Sequence, residues 1–199
     1  MKETIRLIIV AVGGQGNLLA SKVLGETALS AGIPMHMSEI HGMAQRGGVV
    51  ESAIVFGPAK STIISDGEAD VLVGFEPLET LRALNKCNPR TTVITNLAST
   101  PPFTAAIGKG RYPDMAQMTA LISAKTARLL AFDAAALARQ AGNVLSLNMV
   151  LLGALVASNT LPLSRDAVEA TIREKTKPAF VEVNLKALEL GADAVAALA

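Results

Sequence analysis

Cysteine is nearly absent: Cys87 is the single one in 199 residues. One thiol excludes an intrachain disulfide and any four-cysteine iron–sulfur or zinc site built by this chain alone. Lying between Asn85-Lys86 and Asn88-Pro89, it reads as a structural thiol at the end of a helix. Tryptophan is missing and aromatics make up 3% of residues, although half of the chain is hydrophobic. The core must therefore be aliphatic, which suits a parallel sheet covered on both faces, or a subunit with an apolar interface. Charge of one sign is lacking too, since 18 Lys+Arg against 17 Asp+Glu leave a net charge of +1. With no basic block or aromatic-interleaved cationic run, the electrostatic footprint of a nucleic-acid binder is missing. Only His36 and His41 could supply imidazole, and neither has an acidic residue four positions on, so no metal-ligand spacing arises. His36, among strand-like apolar residues, reads as a core or interface side chain.

Long hydrophobic runs are lacking as well. The longest, residues 144–157, contains Ser146, Asn148 and Gly153 and is shorter than the roughly 20 residues that cross a bilayer. It reads as a buried helix. No signal-peptide pattern precedes the first strand-like run, so a cytoplasmic location is expected.

What is present is an alternation of two periodicities. Strand-like runs occur at 5–12, 49–56, 71–75, 92–95 and 129–132, and helical patterns at 15–31, 77–86, 115–125, 134–141, 144–158 and 164–175. A last helix at 179–190 is expected to stop at Gly191. The alternation predicts an α/β, Rossmann-like fold: a mostly parallel sheet, helices on both faces and a helical C-terminal third, in a single domain over 1–199. Asn143 should cap a helix, and Asn148 needs a partner in a loop or a neighbouring subunit. Pro101-Pro102 ends a strand in a loop at the carboxyl edge of the sheet, where the 13–16 and 74–77 turns are also expected and where ligands collect in open α/β sheets.

Two glycine clusters stand out. Gly13, Gly14, Gln15 and Gly16 join a strand to a helix, a turn that can present backbone N–H groups to a phosphate or carboxylate. The dinucleotide fingerprint fails because Leu19 stands where its last glycine belongs. A tight packing turn and a partner contact are the other readings. The second cluster is the loop His41-Gly42-Met43-Ala44-Gln45-Arg46-Gly47-Gly48, which gathers an imidazole, an amide and a fixed cation on bare backbone. His41 either orders the loop or takes part in catalysis. Arg46 either recognises an anionic ligand or partner, or pairs with Glu39 or Glu51. P-loop and nucleophile-elbow strings do not occur.

The order of strand, GGQG, helix and Glu39-Ile40-His41-Gly42-Met43-Ala44-Gln45-Arg46-Gly47-Gly48, followed by Ala141-Gly142-Asn143 and Asn148-Met149-Val150-Leu151-Leu152-Gly153, resembles the gamma subunit or domain of 2-oxoacid:ferredoxin oxidoreductases. Within that family the pattern is most like the small (beta) subunit of the indolepyruvate enzymes. The resemblance implies a cofactor-free subunit, inactive alone, of a complex that turns a 2-oxoacid and coenzyme A into acyl-CoA and carbon dioxide, with electrons passing to ferredoxin. Indolepyruvate, another arylpyruvate or pyruvate would be the oxoacid. Thiamine diphosphate and iron–sulfur clusters would lie in a large partner subunit, with coenzyme A as co-substrate, and a homodimer is allowed for the isolated chain. His41 and Arg46 are then the candidate catalytic residues. Gly13, Gly14, Gln15, Gly16, Gln45, Gly47 and Gly48 are the candidate cofactor-binding residues. The competing reading is a free-standing nucleotide- or coenzyme-binding α/β protein that uses the 13–16 turn.

Overall fold

The computed structural model describes residues 4–42, 48–102, 105 and 107–198. Six strands, β1 Ile5–Val12, β2 Met35–His41, β3 Val49–Phe56, β4 Ala69–Gly74, β5 Cys87–Asn96 and β6 Arg128–Phe132, form one sheet in the order β2-β3-β1-β4-β5-β6. β1, β4, β5 and β6 pair in parallel, whereas β3 is antiparallel to both β1 and β2. Only β3 therefore runs against the others. The helices are α1 Asn17–Ser30, α2 Pro77–Arg82, α3 Met115–Lys125, α4 Ala134–Ala141, α5 Leu147–Ala157, α6 Arg165–Lys175 and α7 Pro178–Ala197, with 3₁₀ turns at Ala83–Lys86 and Val144–Ser146.

Successive side chains of a strand point to opposite faces, so the apolar run of β1 feeds two cores. Leu7, Ile9 and Ala11 pack with Leu24 of α1, Ala138 of α4, Leu151 of α5, Ile172 of α6 and Leu188 of α7. Ile8 and Val10 pack on the other face with Leu72, Val93, Ala83 and Ile122 of α3. The larger core is built around α5, whose residues are buried from Leu147 to Val156.

Three expectations need correction. β2 is a strand that the apolar pattern at 35–41 did not announce, because its residues are half-buried or exposed at the sheet edge, with no regular alternation. As a result His36 is exposed rather than a core residue, and His41 ends a strand instead of opening a loop. Cys87 opens β5 rather than ending a helix, although it does follow the 3₁₀ turn, and it is buried. Gly191 does not stop the last helix: α7 runs on to Ala197. The reason is packing, since a Cβ on Gly191 would lie 1.8 Å from the Val150 carbonyl oxygen, and one on Gly153 would lie 1.9 Å from that of Leu188. The two glycines let α5 and α7 touch backbone to backbone.

Candidate functional site

Parallel pairing brings the carboxyl ends of β1, β4 and β5 to one edge of the sheet, and the antiparallel β2–β3 hairpin sends its connection to the same edge. The two glycine clusters meet there. Gly13 N–H donates to the Gly48 carbonyl at 2.8 Å, and Gly42 N–H donates to the Val49 carbonyl at 2.8 Å. Gln45, Arg46 and Gly47 lie outside the described residues.

Gly14 and Gly16 adopt φ of +104° and +85°, a region costly for residues with a Cβ. Gly16 is also pressed from outside: a Cβ there would stand 2.7 Å from Asn148 Nδ2, which donates to the Gly16 carbonyl at 3.2 Å. Asn148 thus finds the loop partner that its burial in α5 demands. Asn143 accepts from Leu145 N–H at 3.0 Å, the cap expected of it. Gln15 points its amide inward, accepting from Val12 N–H at 2.8 Å and donating to the Phe75 carbonyl at 3.3 Å. Asn96 donates to the same carbonyl at 3.1 Å, so the turns after β1, β4 and β5 form one hydrogen-bonded rim.

Behind the turn, α1 begins with Gly16 as its N-cap, with no capping side chain and no acid in its first turn. Leu19 and Ala20 N–H both donate to the Gly16 carbonyl, at 3.1 and 3.2 Å, whereas the N–H groups of Asn17 and Leu18 have no acceptor among the described residues and carry the positive end of the helix dipole. They face a cleft of about 560 Å³ lined by Gly13, Gly14, Gly16, Asn17, Glu39 and His41. One side of the cleft holds a chain of polar contacts. Asn17 Nδ2 donates to Ser52 Oγ at 3.0 Å, Ser52 Oγ donates to Glu39 Oε2 at 3.0 Å, and Glu39 Oε1 meets His41 Nε2. Glu39 and Ser52 are register partners across β2 and β3. The chain runs from buried Asn17, 4% exposed, to the imidazole of His41, 60% exposed. Asn17 Oδ1 has no hydrogen-bond partner among the described residues.

A second polar centre lies along the same edge. Glu76 is 1% exposed and caps α2, Oε2 accepting from the N–H groups of Leu78 at 2.7 Å and Glu79 at 3.0 Å. Oε1 accepts from Thr100 N–H at 3.1 Å and the Tyr112 hydroxyl at 2.5 Å. Burial, reinforced by the Glu76 carboxylate, pushes the Tyr112 hydroxyl well above the usual phenol range. Glu79, also buried, has its carboxyl raised chiefly by desolvation, against the pull of Arg82 at 2.7 Å.

The structure brings Gly13, Gly14, Gly16 and His41 onto one cleft and turns Gln15 into the scaffold beneath it. Sequence reading missed Asn17, Ser52 and Glu76. Glu76-Pro77 carried a local signal, a capping acid before a proline at the first helical position, whereas Asn17 and Ser52 meet only through the strand register. Among the described residues no group of three or more His, Cys, Asp and Glu side chains could hold a metal ion.

Comparison with known proteins agrees with this architecture. The family model described as pyruvate ferredoxin/flavodoxin oxidoreductase matches residues 6–194. The chain is 40% identical over 196 residues to indolepyruvate oxidoreductase subunit IorB of Pyrococcus horikoshii, covering 98% of this chain and 96% of that protein. It is 39% identical over 190 residues to subunit IorB of Methanothermobacter thermautotrophicus, covering 96% and 97%. In fold it is similar to the keto/oxoacid ferredoxin oxidoreductase gamma subunit of Geobacter sulfurreducens, with a TM-score of 0.70, 22% identity and coverage of 97% and 99%. It also resembles a segment of 2-oxoglutarate:ferredoxin oxidoreductase of Magnetococcus marinus, with a TM-score of 0.76 and 18% identity, over all of this chain and 32% of that one. The chain belongs to the pyruvate ferredoxin/flavodoxin oxidoreductase family.

Proposed function

We propose that this chain is the small subunit of a cytoplasmic 2-oxoacid ferredoxin oxidoreductase of the indolepyruvate or arylpyruvate type, acting as one gamma-type domain over 1–199 and inactive without a large partner. The observation that carries this reading is the near full-length likeness to subunit IorB, in which the cleft-forming segments fall within the matched region. Thiamine diphosphate and iron–sulfur clusters, held by the partner, would supply carbon–carbon cleavage and electron removal. A lone buried cysteine does not fit a cluster.

What this chain's own residues offer is binding and orientation. The uncapped start of α1 and the Gly14 and Gly16 backbone suit one anionic group, such as a coenzyme A phosphate or the oxoacid carboxylate. Arg46, on the segment between Gly42 and Gly48, is a second anion contact in this reading, with Gln45, Gly47 and Gly48 beside it. His41 lines the cleft with its imidazole exposed, and in this reading it turns toward the partner's site.

Co-expression with the large subunit, size exclusion and a 2-oxoacid- and coenzyme A-dependent dye-reduction assay test this. Co-elution with activity that disappears when this chain is omitted is the expected result, with indolepyruvate outpacing pyruvate. Arg46→Ala should raise KM for coenzyme A or the oxoacid while the complex stays intact. Failure to bind the partner, together with nucleotide binding by the chain alone, would favour the free-standing coenzyme-binding protein instead.

A further inference from the structure

We infer that Glu39 is a positioning residue that fixes the neutral His41 ring as its Nε2–H tautomer and leaves Nδ1 as the bare nitrogen of a ring that lines the cleft. For the reaction, this rests on the reading of the cleft as the side that meets the partner's active site. Counting protons fixes the direction of every bond in the chain. A carboxylate accepts and does not donate. Ser52 has one hydroxyl proton, which goes to Glu39 Oε2, so its oxygen can only accept from Asn17. Asn17 must then present Nδ2 to Ser52, which leaves Oδ1 as the end that lacks a partner among the described residues. At the other oxygen, Glu39 Oε1 meets His41 Nε2, and the imidazole alone can provide the proton for that contact. A neutral ring carries one proton, so Nδ1 has none.

The geometry makes this more than a surface pairing. Ser52 is wholly buried on β3 opposite Glu39, and Asn17 is the first residue of α1, so the carboxylate is gripped from the interior while its other oxygen holds the ring. Glu39 and His41 are two residues apart on β2, hence on one face of the strand. An imidazole held this way presents an acceptor, matched to a ligand thiol, hydroxyl or amide rather than to a second anion.

The two histidines make the test direct, because His36 on the same strand is exposed and serves as the internal reference. The full chain, labelled with ¹⁵N-histidine, is followed by long-range ¹H–¹⁵N correlation on the alkaline plateau of its titration. His41 should show one protonated Nε2 and one bare Nδ1, while His36 shows tautomer averaging. Glu39→Ala, and independently Ser52→Ala, should move His41 to the averaged pattern while the His36 signals stay in place as the check on folding. Averaging of His41 in the wild-type chain, or Nδ1 protonation, would overturn the assignment. In the co-expressed complex, Glu39→Ala should lower kcat roughly 10- to 100-fold without loss of co-elution. Unchanged kcat beside a fixed tautomer would overturn the positioning role, whereas a wild-type complex with no oxoacid activity would sink the functional reading and leave the tautomer result standing.

Discussion

Glu76 shows how much one buried carboxylate can organise. Its two oxygens take four hydrogen bonds, two from the first turn of α2, one from Thr100 N–H and one from the Tyr112 hydroxyl. Removing it leaves three backbone donors and a hydroxyl without their acceptor at a buried site, and each orphaned group costs about 1–3 kcal/mol. Glu76→Ala should therefore destabilise the chain by at least about 2 kcal/mol, seen as a lower urea midpoint at unchanged slope. Tyr112→Phe, which removes one donor and leaves the cap, should cost less. Cys87 gives a pH-dependent prediction. Burial pushes its thiol up to about 11, from an ordinary value of 9.0. The folded chain thus holds its proton where the unfolded chain has already lost it, so this contribution to stability is present below pH 9 and declines as pH rises toward 11. At pH 8 native Cys87 should resist alkylation by iodoacetamide and react once urea unfolds the chain. Rapid labelling of the native protein would contradict its burial.

At the scale of elements, α5 and α7 touch backbone to backbone. Gly153 and Gly191 face carbonyl oxygens of the opposing helix at distances that leave no room for a methyl group. Gly191→Ala and Gly153→Ala should each destabilise by about 1–3 kcal/mol or more, because backbone rather than a mobile side chain must move. If either variant melts as the wild type does, the helices are not packed this closely. These glycines also mark a limit of what the sequence reveals. A glycine near the end of an apolar helical pattern reads as a stop, and only the opposing helix shows that its small size serves packing. The buried strands β1 and β3 were legible to the residue, since both are rich in β-branched apolar residues. β2 was not, because its status comes from pairing with β3 while its own residues, His36, Ser38 and Glu39 among them, carry a mixed pattern. The glycine turn and His41 stood out as local anomalies of composition. The Asn17–Ser52–Glu39 chain did not, since it joins residues up to 35 positions apart and depends on register.

For the molecule as a whole, the edge that carries the cleft also carries exposed aliphatic side chains. Leu18 lines the cleft, and Val144 and Leu145 lie beside Gly14 and Gln15, each more than half exposed. Clusters of this kind on a polar rim are where subunits meet. In the proposed complex, Leu18→Glu and Leu145→Glu should abolish co-elution with the large subunit. The melting of the chain alone should shift by less than about 0.5 kcal/mol, since neither side chain supports the core. Co-elution that survives both changes would place the partner on another face.

The strand order also bears on how the chain is made. β1 is first in sequence yet central in the sheet, and its neighbours are β3 and β4, the latter ending at Gly74. During synthesis at 5–20 residues per second, roughly 3–12 s separate the appearance of Val12 from that of Gly74. Through that interval the eight residues of β1 have no strand to complete them on one side. A nascent chain arrested before residue 74 should thus be a better client for a holding chaperone than one arrested after it.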